Sequence, residues 1–371
     1  MSARRLRPPA RIRATRPWRA AAAAYRSRFD DTTAVGYQLD GEGAESFHRQ
    51  GRMMEKREQW LGAAAAYRHA IVLRGEEPPE WMHRLGRVLE RSGDWYGARE
   101  AYRRAAANRR ALPPGERPKL PELPLTEQID LALIRRPDYA HCILKAAKLA
   151  AALGIARISV IEFGVAGGNG LVAMETHSAR ITGLTGVAID VIGFDTGEGL
   201  FAPRDFRDMP YHFSPGSYAM DVDSLMKRLE HAELVFGDAA ETFPDALDRF
   251  GSAPIGAMSF DMDYYSATAG VLGYMGDDAS AGCFLPRVSS YFDDVVGNKG
   301  QEYNEFTGEL LAIDEFNAAN SHVKLVEDRY FRSLPVNFTW HHSIYTMHRF
   351  EHPSYSTYVR NAAKVQLPLS G

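Results

Sequence analysis

From Arg157 onwards the chain alternates between short apolar runs and stretches with a helical period. Ile158-Ser159-Val160-Ile161 reads as a buried strand, which places strand one at 157–164. Comparable runs place strand two at 188–194, strand three at 233–236, strand four at 255–260 and strand five around 287–292. A long helix is expected over 302–319, and the last two strands at 322–326 and 343–348. Ahead of them, Tyr139 to Leu153 carries an apolar stripe at helical spacing and stops at Gly154, while Thr126 is placed as the cap of a shorter helix. Elements alternating in this way predict an α/β fold with a doubly wound, mostly parallel sheet.

The first third of the chain follows a different pattern. From about Glu45 to Arg110 the apolar spacing is helical throughout. Gly51, Trp60, Tyr67 and Ala70 recur as Gly86, Trp95, Tyr102 and Ala105, each 35 residues further on. This spacing resembles the tetratricopeptide repeat, whose period is about 34 residues. Trp18, Tyr25 and Arg26 form a third, partial echo. Two helix pairs seldom bury a core alone, because about three repeats are needed. The region is therefore expected to lean on the next domain, on a protein partner or on a second copy of itself. Four segments follow: a basic, largely disordered tail (1–40), helical repeats (41–111), a proline-rich linker (112–125) and the α/β domain (126–371).

Charge and composition change this picture only in part. A formal charge of −3 over 371 residues argues against a general nucleic-acid binder. That charge is unevenly placed, since residues 1–28 hold nine arginines and no acidic residue. With Ser2 and Ser27 as the only serines and three prolines, this stretch reads as a tail rather than an organelle transit peptide. Cys142 and Cys283 are the only cysteines, which excludes a disulfide framework or a Cys-rich zinc site. No apolar run approaches the roughly 18 residues a membrane span requires. A cytoplasmic location is expected.

The chemistry gathers where the strands end. Glu162 closes the first strand, and Gly164, Gly167, Gly168 and Gly170 follow before a helix that starts near Leu171. A strand entering a helix through glycines lets backbone approach a nucleotide-like ligand. Asp195, Asp238, Asp261 and the pair Asp293-Asp294 stand at the ends of strands two to five. Ligands of open α/β sheets sit at the carboxyl ends of strands. Asp195 suits two ribose hydroxyls, and Asp238 suits either an adenine amine or the cap of the next helix. Asp261, Asp293 and Asp294 offer carboxylate oxygens of the kind magnesium prefers, with Arg287 as the alternative counter-charge.

Four segments in order resemble the macrocin O-methyltransferase family. They are Glu162 to Gly170, then Asp195 with Gly199 and Leu200, then Gly237-Asp238 with Thr242 and Pro244, and finally Asp261-Met262-Asp263-Tyr264-Tyr265 with Thr268. The resemblance covers about 126–350 and leaves the helical repeats outside it. It implies a Rossmann-like methyltransferase sheet, S-adenosylmethionine (SAM) as methyl donor, Mg2+ and a sugar hydroxyl as acceptor. The glycine turn would then hold the amino-acid end of SAM, and Asp261, Asp293 and Asp294 the metal, with Asp261 acting at the reacting centre. The sequence departs from the family where Ala267 replaces a serine and where the approach to strand five reads Ala281-Gly282-Cys283-Phe284-Leu285-Pro286-Arg287.

The stretch Phe201 to Asp221 is long enough for a lid and holds His212, the candidate general base. Histidines at 341, 342, 348 and 352 lie among aromatic residues and are expected to pack rather than bind metal. Two other classes of function share these features. One is a repeat-bearing scaffold whose α/β domain does not turn over, and the other is a metal-dependent hydroxylase.

Overall fold

The structure is a computed structural model that describes residues 41–250, 253–277, 281–297, 302–334 and 338–360. The basic tail and its Trp18–Tyr25 echo lie outside the described residues. The chain divides into two compact units, 1–122 and 123–371.

In the first unit, α1 (Gly41–Lys56) pairs with α2 (Trp60–Arg74), and α3 (Pro79–Arg91) with α4 (Trp95–Ala111). The 35-residue recurrence is a recurrence of packing. A Cβ on Gly51 would stand 2.7 Å from the Tyr67 ring, and one on Gly86 would stand 2.7 Å from the Tyr102 ring. Each hairpin therefore closes with a tyrosine laid against a bare backbone. The hydroxyl of Tyr67 donates to Glu55 at 2.7 Å and that of Tyr102 to Glu90 at 3.0 Å.

One pair of joints differs. His48 stacks on Trp81 of the next hairpin at 4.3 Å, and the Arg74 guanidinium lies 4.9 Å from that ring. Their counterparts, His83 and Arg109, meet the proline-rich stretch instead. His83 Nε2 lies 3.1 Å from the Pro121 carbonyl oxygen, and Arg109 Nε donates to that of Pro118 at 2.7 Å. The stretch expected to be a free linker is therefore folded onto the end of the repeats as far as Glu122.

The second unit opens with α5 (Leu125–Asp130) and α6 (Pro137–Ala152). Thr126 lies inside α5 rather than capping it, because Pro124 already sets the turn. The strands are β1 (Arg157–Phe163), β2 (Ala188–Asp195), β3 (Glu233–Phe236), β4 (Ile255–Phe260), β5 (Phe284–Phe292), β6 (Val323–Glu327) and β7 (Ile344–Arg349). Between them run α7 (Asn169–Thr185), α8 (Val222–Met226), α9 (Ala239–Phe250), α10 (Tyr265–Gly273) and α11 (Gly308–Ala319). The sheet order is β3-β2-β1-β4-β5-β7-β6, and only β7 runs against the others.

Two boundaries in the second unit lie more than two residues from the expected ones. The long helix begins at Gly308, since the Asn304 side chain turns the preceding segment by bonding Phe306 N and the Glu302 carbonyl oxygen. Strand five begins at Phe284 and accommodates Arg287 because that guanidinium reaches the Tyr355 carbonyl oxygen at 2.9 Å and lies over the Tyr355 ring. Two of the four C-terminal histidines pack against aromatic residues as expected. His341 stacks on Phe331 at 5.0 Å, and His348 meets the Tyr355 hydroxyl at 2.8 Å.

Register positions the site. Phe163 pairs with Phe194 on one side and Phe260 on the other, and Phe260 with Phe292. The four buried rings contact in sequence, at 5.2, 5.1 and 4.4 Å between neighbours. In β2, β4 and β5 the next residue is an acid: Asp195, Asp261 and Asp293. A rigid apolar row thus fixes the level at which three carboxylates leave the sheet.

Candidate active-site cleft

A cleft of about 390 Å³ opens over the carboxyl ends of β1, β2, β4 and β5. That is a volume suited to a nucleotide-sized ligand. Glu162, Gly164, Gly167, Gly168, Gly170, Asp195, Asp238, Asp261, Asp293 and Asp294 all line it. Ten of the eleven residues singled out from the sequence are therefore brought together. His212 is the exception. It is exposed, turned against Phe213, and does not line the cleft. The insertion carrying it lends Phe201 and Tyr218 to the cleft and is pegged where buried Asp208 accepts from Ser266 N at 2.8 Å and from the Ser266 hydroxyl at 2.9 Å, which leaves His212 outside.

At the glycine turn most of the polar groups serve the protein itself. Gly164 has φ +83°, and a Cβ there would stand 1.9 Å from the Asp261 carbonyl oxygen, so no side chain fits where β1 passes β4. Gly168 packs on Leu225 of α8. Gly167 differs, for a Cβ there would meet nothing. Asp195 Oδ2 accepts from Val165 N and Ala166 N, both at 2.8 Å, and Oδ1 from Gly197 N at 2.6 Å. A carboxylate has about four acceptor positions. Only one is left for a ribose, not the two that paired hydroxyls require. Asp238 Oδ1 caps α9 through Ala240 N at 2.9 Å. The helix-cap role expected as its alternative is present.

Glu162 stands apart at this end. It is buried, Oε1 accepts from the Tyr139 hydroxyl at 2.6 Å, and Oε2 has no partner. Burial pushes its carboxyl up to about 8. A buried, unpaired acceptor is costly unless something polar arrives to meet it.

The other end is crowded with acids. Burial, then Asp293 and Asp294, push the Asp261 carboxyl well above the usual range. Asp263 is pushed up to about 8 by burial and by Asp294, and Asp294 to about 6 by burial with Asp293 adding to it. Asp263 also holds a left-handed backbone (φ 61°) at a non-glycine position. Asp294 is tied on both oxygens, by the Tyr303 hydroxyl at 2.5 Å and by Asp263 N at 3.1 Å. Asp293 Oδ1 accepts from the Tyr291 hydroxyl at 2.6 Å.

The counter-charge is not Arg287, which faces Tyr355. It is Arg136, whose guanidinium lies 3.5 Å from Asp293 and 3.8 Å from Asp261. The donor chemistry suits magnesium, but the arrangement does not. Among the described residues no three His, Cys, Asp or Glu side chains gather closely enough to hold a metal ion.

Sequence reasoning missed the roles of Arg136, Tyr139, Asp263 and Tyr303. Only Asp263 carried a signal, its place two residues after Asp261.

No family model and no curated protein matches this sequence. Among solved structures, a calicheamicin methyltransferase, CalS11, overlaps 62% of this chain and 94% of its own at 19% identity and a TM-score of 0.39. Its apo form, described as a TDP-rhamnose 3'-O-methyltransferase of calicheamicin biosynthesis, gives 20% identity, coverage of 62% and 88%, and a TM-score of 0.34. An S-adenosyl-L-methionine methyl transferase from Silicibacter pomeroyi gives 14%, coverage of 62% and 99%, and 0.27. Overlaps this low assign neither activity nor substrate. The chain's own strand order, with β7 reversed and a glycine turn after β1, makes the second unit a Rossmann-like, mostly parallel α/β fold. No helix among the described residues is long and apolar enough to cross a membrane.

Proposed function

We propose that the second unit is a SAM-dependent O-methyltransferase acting on a sugar or glycoconjugate hydroxyl. One observation carries this reading. A single cleft joins an unpaired buried oxygen, Glu162 Oε2, to a carboxylate cluster with a raised pKa at its far end.

SAM brings an ammonium and a sulfonium, and Glu162 offers the acceptor that an ammonium needs once it releases the proton it holds in the empty cleft. Gly167 leaves open space along the same wall. Asp195 has one acceptor position for a ribose hydroxyl, and Asp238 Oδ2, 4.0 Å from the Arg204 guanidinium, can turn to the adenine amine. The acceptor hydroxyl attacks the sulfonium methyl in line. A C–O bond forms, the C–S bond breaks, and S-adenosylhomocysteine leaves.

The hydroxyl proton goes to a carboxylate of the cluster. Asp263 is the assigned base, because it lines the cleft and among the described residues no side chain bonds its oxygens. Its raised pKa places proton uptake near working pH. Phe201, Tyr218 and Tyr303 line the same end and offer faces on which a sugar ring can lie.

Calorimetry with SAM, followed by label transfer from SAM to a panel of sugars and glycoconjugates, tests the reading. Saturable SAM binding with label appearing in an acceptor is the expected result. Absence of SAM binding would sink it. Binding without transfer to any acceptor would leave the scaffold function instead.

A further inference from the structure

We propose that the Arg136 guanidinium is the resident cation of the acid cluster, standing where a divalent ion would balance the charge and keeping such an ion out of the ligand-free cleft. The inference rests on the methyl-transfer reading only for what the cluster is used for. The contacts stand by themselves.

Arg136 is built in from every side. Its backbone is left-handed (φ 44°, ψ 62°) immediately before Pro137, a strained place for a residue with a side chain. Such strain persists only where the surroundings hold it. Here two rings do so: the guanidinium carbon lies 4.0 Å from the Tyr139 centroid and 5.1 Å from that of Tyr291. Behind it, Asp138 Oδ2 is 2.9 Å from Nε. In front, Nη2 faces Asp293 Oδ1 at 3.5 Å and Nη1 faces Asp261 Oδ2 at 3.8 Å. Neither Nε nor Nη2 makes an aligned hydrogen bond, so the guanidinium acts on the cluster through charge.

Asp261 and Asp293 are two of the three carboxylates a magnesium ion was expected to use. Magnesium bonds its oxygens at about 2.0–2.1 Å and demands near-octahedral order. An ion bridging these two would sit beside a fixed positive charge that cannot be deprotonated and is clamped by two rings. Like charges this close oppose each other. The clamp and the lack of three gathered donors have one cause, which is that the space between the carboxylates is already answered for.

The experiment uses the full chain as wild type, Arg136→Gln and Arg136→Lys. Each is titrated calorimetrically with Mg2+ alone, with Mn2+ alone and with SAM, and melted with and without metal. Arg136→Gln should bind Mn2+ about ten-fold more tightly than wild type, or better, because the opposing charge is gone. Its melting temperature should fall without metal and recover with Mn2+. Arg136→Lys restores a positive charge and should return the weak wild-type affinity, which a merely structural role would not do. Should Arg136→Gln not fold, Arg136→Met fills the slot between the rings and serves the same comparison. Equal cation affinity in wild type and the neutral variants overturns the inference, as does a folded neutral variant that takes no cation. SAM binding separates the two readings. If SAM binds and the cation affinities are equal, only this inference fails, whereas if no protein binds SAM, the methyl-transfer reading fails whatever the cations do.

Discussion

The two ends of the cleft are built on opposite principles. At the β1–β2 end the protein has used most of its own polar groups. Asp195 is occupied by three backbone amides, Asp238 caps a helix, and Gly164 and Gly168 are demanded by packing. Glu162 alone keeps a buried oxygen without any partner. At the β4–β5 end four cleft carboxylates crowd together with buried Glu309 behind them, and the Arg136 guanidinium lies beside two of them, Asp261 and Asp293. The first end is a finished cradle with one vacancy, while the second is held in a state of electrostatic tension that a ligand would relieve. The contrast teaches that residues of one type, each at a strand end, can do unlike work, and hydrogen bonds decide which.

The strongest way to break the contrast is to neutralise the tense end. Asp263→Asn should lower turnover about 10²–10⁴-fold, the usual worth of a general base, while SAM affinity stays unchanged. Steady-state kinetics beside calorimetry checks this. A variant that keeps wild-type turnover would move the base elsewhere.

The vacancy at the quiet end comes next. Glu162→Gln should weaken SAM about 10- to 100-fold, as expected for a lost hydrogen bond to a charged group worth about 1.5–3 kcal/mol. Its pH dependence has a fixed sign. The folded-state carboxyl is raised from 4.5 to about 8, so the folded protein holds the proton over that interval and the unfolded chain does not. Stability from this group is full below 4.5 and declines as pH rises toward about 8. Relative to wild type, Glu162→Gln should therefore gain melting temperature as pH rises through that window. A difference that does not vary with pH would mean Glu162 is ionised in the empty cleft.

The smallest effect sharpens the picture of groups already in use. Asp238→Ala should cost about 0.5–2 kcal/mol of stability through the lost cap of α9. Denaturant melts measure it. A loss of SAM affinity larger than the loss of stability would make the adenine contact its main role.

Much of this was legible in the sequence, for identifiable reasons. Strand positions followed from apolar runs, and the acids could be placed at the carboxyl ends because each stands where an apolar run stops. What stayed hidden depends on tertiary approach. Nothing near Arg136 in the sequence marks a residue that reaches across to β4 and β5. Spacing gave no sign that Asp195 turns back to hold its own glycine loop, which reduced two ribose contacts to one. His212 stands in a long insertion, which marks it as a candidate base, but Asp208 fastens that insertion with His212 outside the cleft. Arg287 was weighed as the counter-charge from its place in β5, but that position faces Tyr355.

The contacts that end the helical unit have a consequence for assembly. A stack of repeats grows by presenting a bare end to the next unit, as His48 and Arg74 receive Trp81. At the next position the receiving residues are His83 and Arg109, and the carbonyls of Pro121 and Pro118 occupy both. Among the described residues the segment covers the end of the second hairpin, and it is expected to deny further copies a place to add. A chain with residues 118–121 replaced by a glycine-serine stretch should associate as its concentration is raised. Sedimentation that remains concentration-independent would show that the end is not adhesive even when bare.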